Sequence, residues 1–247
     1  MSNSIVVITG AGSGIGRAAA QRMVTEHTVV AIGRTKAKLD GLREAGGERI
    51  IPYAMDVSAR TEVERLVGYL RDQKATVAAL VNAAGFALGG TTDTPLAELE
   101  DNWNKVIAAN LTGTFLMCMG LAPLLKRPGG RIVNISSIAA YTGGRNAGSS
   151  IYAASKAGIH GLSAGLAREL SPAGITVNTI APGFIAGTDF TSRWPAARID
   201  GIVAETPARR AGTPEEVAGL IQYLCSEAAG FITGEIISQN GGWRFGS

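Results

Sequence analysis

From Ile5 to Ser238 the chain alternates short runs rich in valine and isoleucine with longer stretches of helical period. The runs are Ile5–Thr9, Thr28–Ile32, Ile50–Ala54, Val77–Asn82, Arg131–Ile135, Ile175–Ile180 and Glu235–Ser238. The helical stretches open near Gly14, Lys36, Arg60, Glu98, Ile151 and Pro214. The runs lack the in–out alternation of a sheet with one wet face, which is how parallel strands covered on both faces read. Strict βα alternation then imposes right-handed crossovers. The expected architecture is α/β: a doubly wound parallel sheet of about seven strands with helices on both faces. The 247 residues show no repeat, linker or low-complexity tract, so one domain is expected over 1–247. Residues 183–213 break the rhythm with Pro195, Pro207, Phe190 and Trp194 and no clear strand. A segment that long is expected to be a substrate lid or binding loop.

Composition narrows the partners. Net charge is +3 and the basic residues are scattered, not gathered in the stripe a nucleic-acid binder shows. The longest greasy stretch, Phe115 to Leu125, is broken by Gly120 and Pro123. It falls short of the ~20 apolar residues of a membrane span and reads as a buried helix. The N-terminus has neither a basic region nor a long apolar one, so no signal peptide is expected. Cys118 and Cys225 form no metal or redox spacing and read as two reduced core thiols, which suits a cytoplasmic protein. His27 and His160 have no partners at ligand spacing, and no metal is expected.

Three motifs carry chemistry. Thr9-Gly10-Ala11-Gly12-Ser13-Gly14-Ile15-Gly16 follows the first strand and opens the first helix. A helix N-terminus offers free N–H groups and the positive end of a dipole to a pyrophosphate, and glycines keep side chains out of its approach. The second strand ends Ala31-Ile32-Gly33-Arg34, without the acid that would hydrogen-bond a ribose 2′-hydroxyl. Gly33 leaves room for a 2′-phosphate and Arg34 can pair with it bidentately, so NADP(H) is expected ahead of NAD(H). The alternative for Arg34 is a solvated loop cation. Finally, Tyr152-Ala-Ala-Ser-Lys156 puts a phenol and an ammonium on one helical face, the face that also carries Ile159, Leu166 and Leu170. A lysine on a buried stripe needs polar partners. A free phenol has a pKa of ~10, and a nearby ammonium is expected to lower it toward neutrality by ~3 units.

With these motifs, nearly end to end, the sequence resembles the short-chain dehydrogenase/reductase family. The resemblance implies a single Rossmann-like domain. It assigns cofactor contacts to Gly10, Ser13, Gly14, Ile15 and Gly16, to Arg34, to Asp56 and Val57 near the adenine, and to Asn82-Ala83-Ala84-Gly85. Tyr152 and Lys156 hold the ribose, and Pro182, Gly183 and Ile185 shape the nicotinamide site. It makes Tyr152 the general acid/base and Lys156 its partner. Ser137 holds the substrate oxygen, with Ser136 as the competing choice. Asn110 holds a water in a proton relay, or else is a structural amide bonding across to a strand. The plain alternative for Asp56 is a helix cap near Ser58.

Four departures bear on detail. Many NADP-dependent relatives carry a basic residue where Ser13 stands. The usual threonine after the Pro182-Gly183 turn is displaced to Thr188, which puts its carboxamide contact in doubt and favours Ile185. The stretch from Tyr141 to Ser150 is about two residues longer than is common. Carrier-protein reductases tend to have a base where Ala173 stands. Members are commonly homotetramers or homodimers, joined through the helices holding Asn110 and Tyr152 and through the C-terminal segment. The ending Asn240-Gly-Gly-Trp243 matches that pattern.

The leading expectation is an NADP(H)-dependent oxidoreductase interconverting a small, largely apolar ketone and a secondary alcohol. Phe184, Phe190, Trp194 and Ile199 in the lid supply the apolar surface. The alternatives are a 3-oxoacyl-(acyl-carrier-protein) reductase, or an NAD-dependent alcohol, steroid or sugar dehydrogenase. From another class comes a non-catalytic nicotinamide-sensing module, which the retained Tyr152–Lys156 pair disfavours.

Overall fold

The computed structural model describes residues 4–189, 191–192 and 194–245; Phe190, one of the lid aromatics, lies outside them. The chain runs β1 (Ser4–Thr9), α1 (Gly14–Met23), β2 (Thr28–Gly33), α2 (Lys36–Gly46), β3 (Ile50–Ala54), α3 (Arg60–Asp72), β4 (Thr76–Asn82), α4 (Leu96–Ile107) and α5 (Gly113–Leu121). It continues through β5 (Arg131–Ile135), α6 (Ala139–Thr142), α7 (Ser150–Leu170), β6 (Thr176–Pro182), α8 (Ala196–Glu205), α9 (Pro214–Cys225) and β7 (Ile236–Gln239). The strands form one seven-stranded parallel sheet in the order β3-β2-β1-β4-β5-β6-β7. The order reverses between β1 and β4, and ligands of such sheets bind at the C-terminal ends of the strands beside that point. The register sets Thr9 level with Asn82, and Asn82 level with Asn134, so the motifs share one rim.

Each strand feeds both faces. Val6 and Ile8 belong to the cluster packed by α1, α2 and α9, while Ile5 and Val7 belong to the one packed by α3, α5 and α7. A polar chain crosses the second face: Asn82 Nδ2 donates to Asn134 Oδ1, Asn134 Nδ2 to Ser163 Oγ, and Thr179 Oγ1 to the same Ser163 oxygen. Buried polar groups need such partners, and these pin α7 to three strands.

Three element-level expectations change. First, α4 and α5 are one continuous helical run joined by a π turn over Ala108–Thr112. By length and composition alone the run Leu96–Leu124 could cross a membrane. Here Val106, Asn110, Met117, Cys118 and Leu121 form its buried stripe, and Met117, Cys118 and Leu121 join the core of the second sheet face. Second, Phe115 and Met119 are each 44% exposed and Trp103 is 46% exposed, so only one side of this run is core. Trp103 therefore does not share the buried side of Asn110. Third, the lid segment contains a helix, α8, and a short bridge between Ile185 and Gly212.

Candidate active site

The glycine turn is packed from below. Thr9 Oγ1 accepts the N–H groups of Ala83 and Ala84, each at 3.1 Å, tying the ends of β1 and β4 together. A Cβ on Gly10 would lie 2.7 Å from Ala83 O, and one on Gly16 would lie 2.4 Å from Gly10 O. These two glycines are demanded by close backbone approach. Gly14 has φ +50°, a left-handed conformation that favours glycine. Ser13 is the N-cap of α1 in an extended conformation and makes no side-chain cap bond among the described residues. The first N–H groups of α1 thus open on the rim beside Gly14 and Ile15, as an anion requires.

Across the switch point, Arg34 lies over the Phe86 ring at 5.9 Å. Asp56 Oδ1 accepts from Ser58 N (2.9 Å) and Ser58 Oγ (2.7 Å). Burial pushes the Asp56 carboxyl up, but the two Ser58 bonds and the charge of Arg34 outweigh it and hold the group below the usual carboxylate range. The cap of α3 is Ala59, so Asp56 closes a turn just before that helix and does not cap it.

The catalytic group assembles where β5, α5 and α7 meet. Ser137, just after β5, hydrogen-bonds the Tyr152 phenol and takes the N–H of Ala139 at 3.1 Å. Ser136 is otherwise engaged: its Oγ donates to Lys156 O at 2.9 Å and pairs with His160 Nε2 at 2.8 Å. The choice between the serines therefore falls on Ser137. Lys156 is 5% exposed and its Nζ donates to Ile135 O at 2.9 Å, 5.8 Å from the Tyr152 ring centroid. Asn110 is fully buried. Its Oδ1 accepts Phe86 N at 3.0 Å, and its Nδ2 donates to Phe86 O at 2.9 Å and to Ser155 Oγ at 3.0 Å. That side chain is a structural clamp, with the loop after β4 as its partner. A Cβ on Gly85 would lie 3.0 Å from Asn110 Oδ1 and 3.3 Å from Lys156 Nζ, so these three residues converge.

The protonation balance differs from the sequence expectation. Burial raises the Tyr152 phenol above its ordinary value, opposed only by the Ser137 bond. Burial also lowers Lys156 to about 8. The ammonium points at a backbone carbonyl, and removal from water dominates both groups.

Several expected cofactor contacts turn inward. Asn82 is buried, bonded to Asn134 and to Cys118 Sγ (3.3 Å), because β4 directs it under α5. Val57 is buried, and its side chain would meet a Cβ on Gly113 at 2.7 Å. Ile185 is a core residue beside α9, so only its backbone is left for the rim. Thr188, doubted on spacing, instead lies against the cofactor turn: a Cβ on Gly14 would be 3.1 Å from its Cγ2. Pro182 O accepts Ile138 N at 2.9 Å and Gly183 N donates to Gln239 O at 2.9 Å, which bolts the root of the lid to the sheet. In the lid, Phe184 stacks on Trp194 with centroids 5.7 Å apart, and Arg198 covers Trp194 at 3.8 Å. Sequence reading missed Lys38, Asp189, Phe86 and the Arg145–Glu205 pair, which lie far apart along the chain and carry no motif.

The residues fit a dinucleotide. The rim offers a turn whose glycines a Cβ would fill, an open helix start, a cation past β2 and a phenol–ammonium pair across the same switch point. The chain belongs to the short-chain dehydrogenase/reductase family, whose members oxidise hydroxyl groups or reduce carbonyl groups with a nicotinamide cofactor. A family model described as enoyl-(acyl carrier protein) reductase matches residues 10–244. A 3-oxoacyl-(acyl-carrier-protein) reductase of Vibrio harveyi is 36% identical over 245 residues, covering 98% of each chain. A (3R)-3-hydroxyacyl-CoA dehydrogenase of Mus musculus is 37% identical and covers 98% of this chain and 96% of its own. A solved short-chain dehydrogenase/reductase described as glucose/ribitol dehydrogenase, from Brucella melitensis, superposes with a TM-score of 0.90 at 34% identity. It covers 100% of this chain and 98% of its own.

Proposed function

We propose that this oxidoreductase prefers NADP(H) and interconverts a ketone and a secondary alcohol, with Tyr152 as general acid/base. The observation that carries the reading is the Ser137–Tyr152 hydrogen bond, set on the rim with buried Lys156 beneath it. A bound nicotinamide supplies the hydride for reduction or accepts it in oxidation. Ser137 and Tyr152 hold the substrate oxygen between two hydroxyls. In reduction Tyr152 delivers its proton to that oxygen as the carbon–oxygen double bond opens; in oxidation it removes the hydroxyl proton. A phenol held up by burial is protonated at neutral pH and ready to donate. Lys156, at about 8, keeps a partial charge near the phenolate that proton loss creates. Arg34, with Gly33 and no acid at the end of β2, supports the 2′-phosphate. The stacked Phe184–Trp194 pair supports a largely apolar substrate.

A second reading, reduction of 3-oxoacyl thioesters on a carrier protein, is favoured by the names of the relatives. Ala173 in place of a base weakens the docking patch an acidic carrier would need. The loss of absorbance at 340 nm with NADPH and a panel of ketones and 3-oxoacyl thioesters separates the two. Tyr152→Phe is expected to lower turnover by 10²–10⁴-fold on the true substrate class while leaving cofactor affinity close to wild type. Substantial activity in that variant argues against the assignment.

We also propose a homo-oligomer, tetramer or dimer, working in the cytoplasm. Trp103, Phe115 and Met119 expose apolar surface along one run of helix, and such patches mark interfaces. The free Cys118 and Cys225 suit a reducing compartment.

A further inference from the structure

Lys38 sits in the first turn of α2, one helical turn after Arg34. Its stem lies across the glycine turn: a Cβ on Gly12 would be 3.3 Å from Lys38 Cβ and 3.7 Å from Lys38 Cδ. Gly33 closes the same corner, since a Cβ there would be 3.8 Å from Gly12 N. Arg34 and Lys38 therefore flank the corner where the end of β2 meets the turn. From it, Lys38 Nζ reaches up to an ion pair with Asp189 Oδ2 in the lid, and both side chains remain well exposed. The neighbouring Thr188 rests on Gly14. The other cation of that first turn, Lys36, is paired within its own helix with Asp40 at 2.7 Å.

We infer that Lys38 is a specificity-determining cation for the 2′-phosphate of the dinucleotide, and that the lid carboxylate Asp189 competes with that phosphate for it. The inference rests on the NADP(H) reading above. It supplies the second positive charge that is missing at Ser13, from a different element. Exposed ion pairs of this kind are weak, whereas a phosphate monoester carries nearly two negative charges at pH 7. The phosphate therefore takes the ammonium, with Arg34 as its other partner, and Asp189 loses its anchor. Because coupling is reciprocal, whatever weakens the Lys38–Asp189 pair must strengthen binding of the phosphorylated cofactor. A cofactor with a bare 2′-hydroxyl makes no such demand.

Calorimetric titration with adenosine 2′,5′-bisphosphate and with 5′-AMP reads binding alone, without turnover. Lys38→Ala is expected to weaken the bisphosphate about tenfold, in the usual range of coupling between sites, and to leave 5′-AMP unchanged. Lys38→Arg should restore most of the loss. Asp189→Asn should tighten the bisphosphate severalfold and leave 5′-AMP unchanged. Arg145→Ala removes the other ion pair of the lid, to Glu205, and any effect of lid loosening alone should appear there equally for both nucleotides. Equal weakening of both nucleotides by Lys38→Ala would mean that the lysine only shapes the turn, and would overturn the inference. An unchanged bisphosphate affinity in Asp189→Asn would overturn the competition. Wild-type protein that binds the two nucleotides equally well would overturn the NADP(H) reading itself, and this assignment with it.

Discussion

At the scale of single residues, burial governs the site. Lys156 sits at about 8 in the folded chain against an ordinary value near 10.5. Below pH 8 both folded and unfolded chains carry its proton, and the fold bears the cost of a buried charge. Between about 8 and 10.5 the unfolded chain holds a proton that the folded one has lost, so this group's contribution to stability rises with pH. Lys156→Met is therefore expected to stabilise the cofactor-free protein at pH 7, with a gain that shrinks by pH 10.5. Urea midpoints of both proteins at the two pH values check this, and a pH-independent difference would contradict it. Tyr152, Lys156, Ser137 and Asn110 were legible because each is an unusual residue type at a place where periodicity predicts core. The direction of the phenol's shift was not legible. It depends on whether the ammonium faces the ring or a backbone carbonyl, and Ile135 O settles that in space. The inward turns of Asn82, Val57 and Ile185 were likewise hidden: a motif names a rim position without saying which way the side chain leaves it.

At the scale of elements, the best-signalled helix start is that of α9. Thr213 Oγ1 accepts Glu216 N at 3.3 Å, and Glu216 Oε2 returns the favour to Thr213 N at 2.9 Å. This capping box, with Pro214 at the first helical position, is readable in the order Thr-Pro-Glu-Glu. Thr213→Ala should cost about 1 kcal/mol, a drop in melting temperature of about 2–4 °C for a chain of this size. A calorimetric scan with no drop would show that packing of α9 on α1 alone holds the helix. The same chemistry misled the reading of the lid. Pro195 and Pro207 looked like breakers, but Pro195 is the N-cap of α8 and Pro207 follows its end, so the prolines bracket a helix. The π turn at Asn110 left no trace in the periodicity, because one extra residue per turn shifts the apolar stripe by less than its own width.

For the whole molecule, the strand rhythm alone was enough to specify a parallel doubly wound sheet, since few other architectures hide both faces of every strand. Quaternary structure was readable only through resemblance, and the exposed Trp103, Phe115 and Met119 now give it a physical address. The double variant Phe115→Asp/Met119→Lys should shift the protein to a smaller species in sedimentation velocity. An unchanged sedimentation coefficient would place the association surface elsewhere.

Both ends of the lid stand on the same few residues. Gly183 donates to Gln239 O, Ala208 donates to Gly241 O, and Ile185 pairs with Gly212. A segment pinched shut at its base adds little closure entropy when its interior lengthens or changes. The span between these feet can therefore be exchanged as a cassette, giving one rigid hydride-transfer machine a new appetite without rebuilding the sheet beneath it.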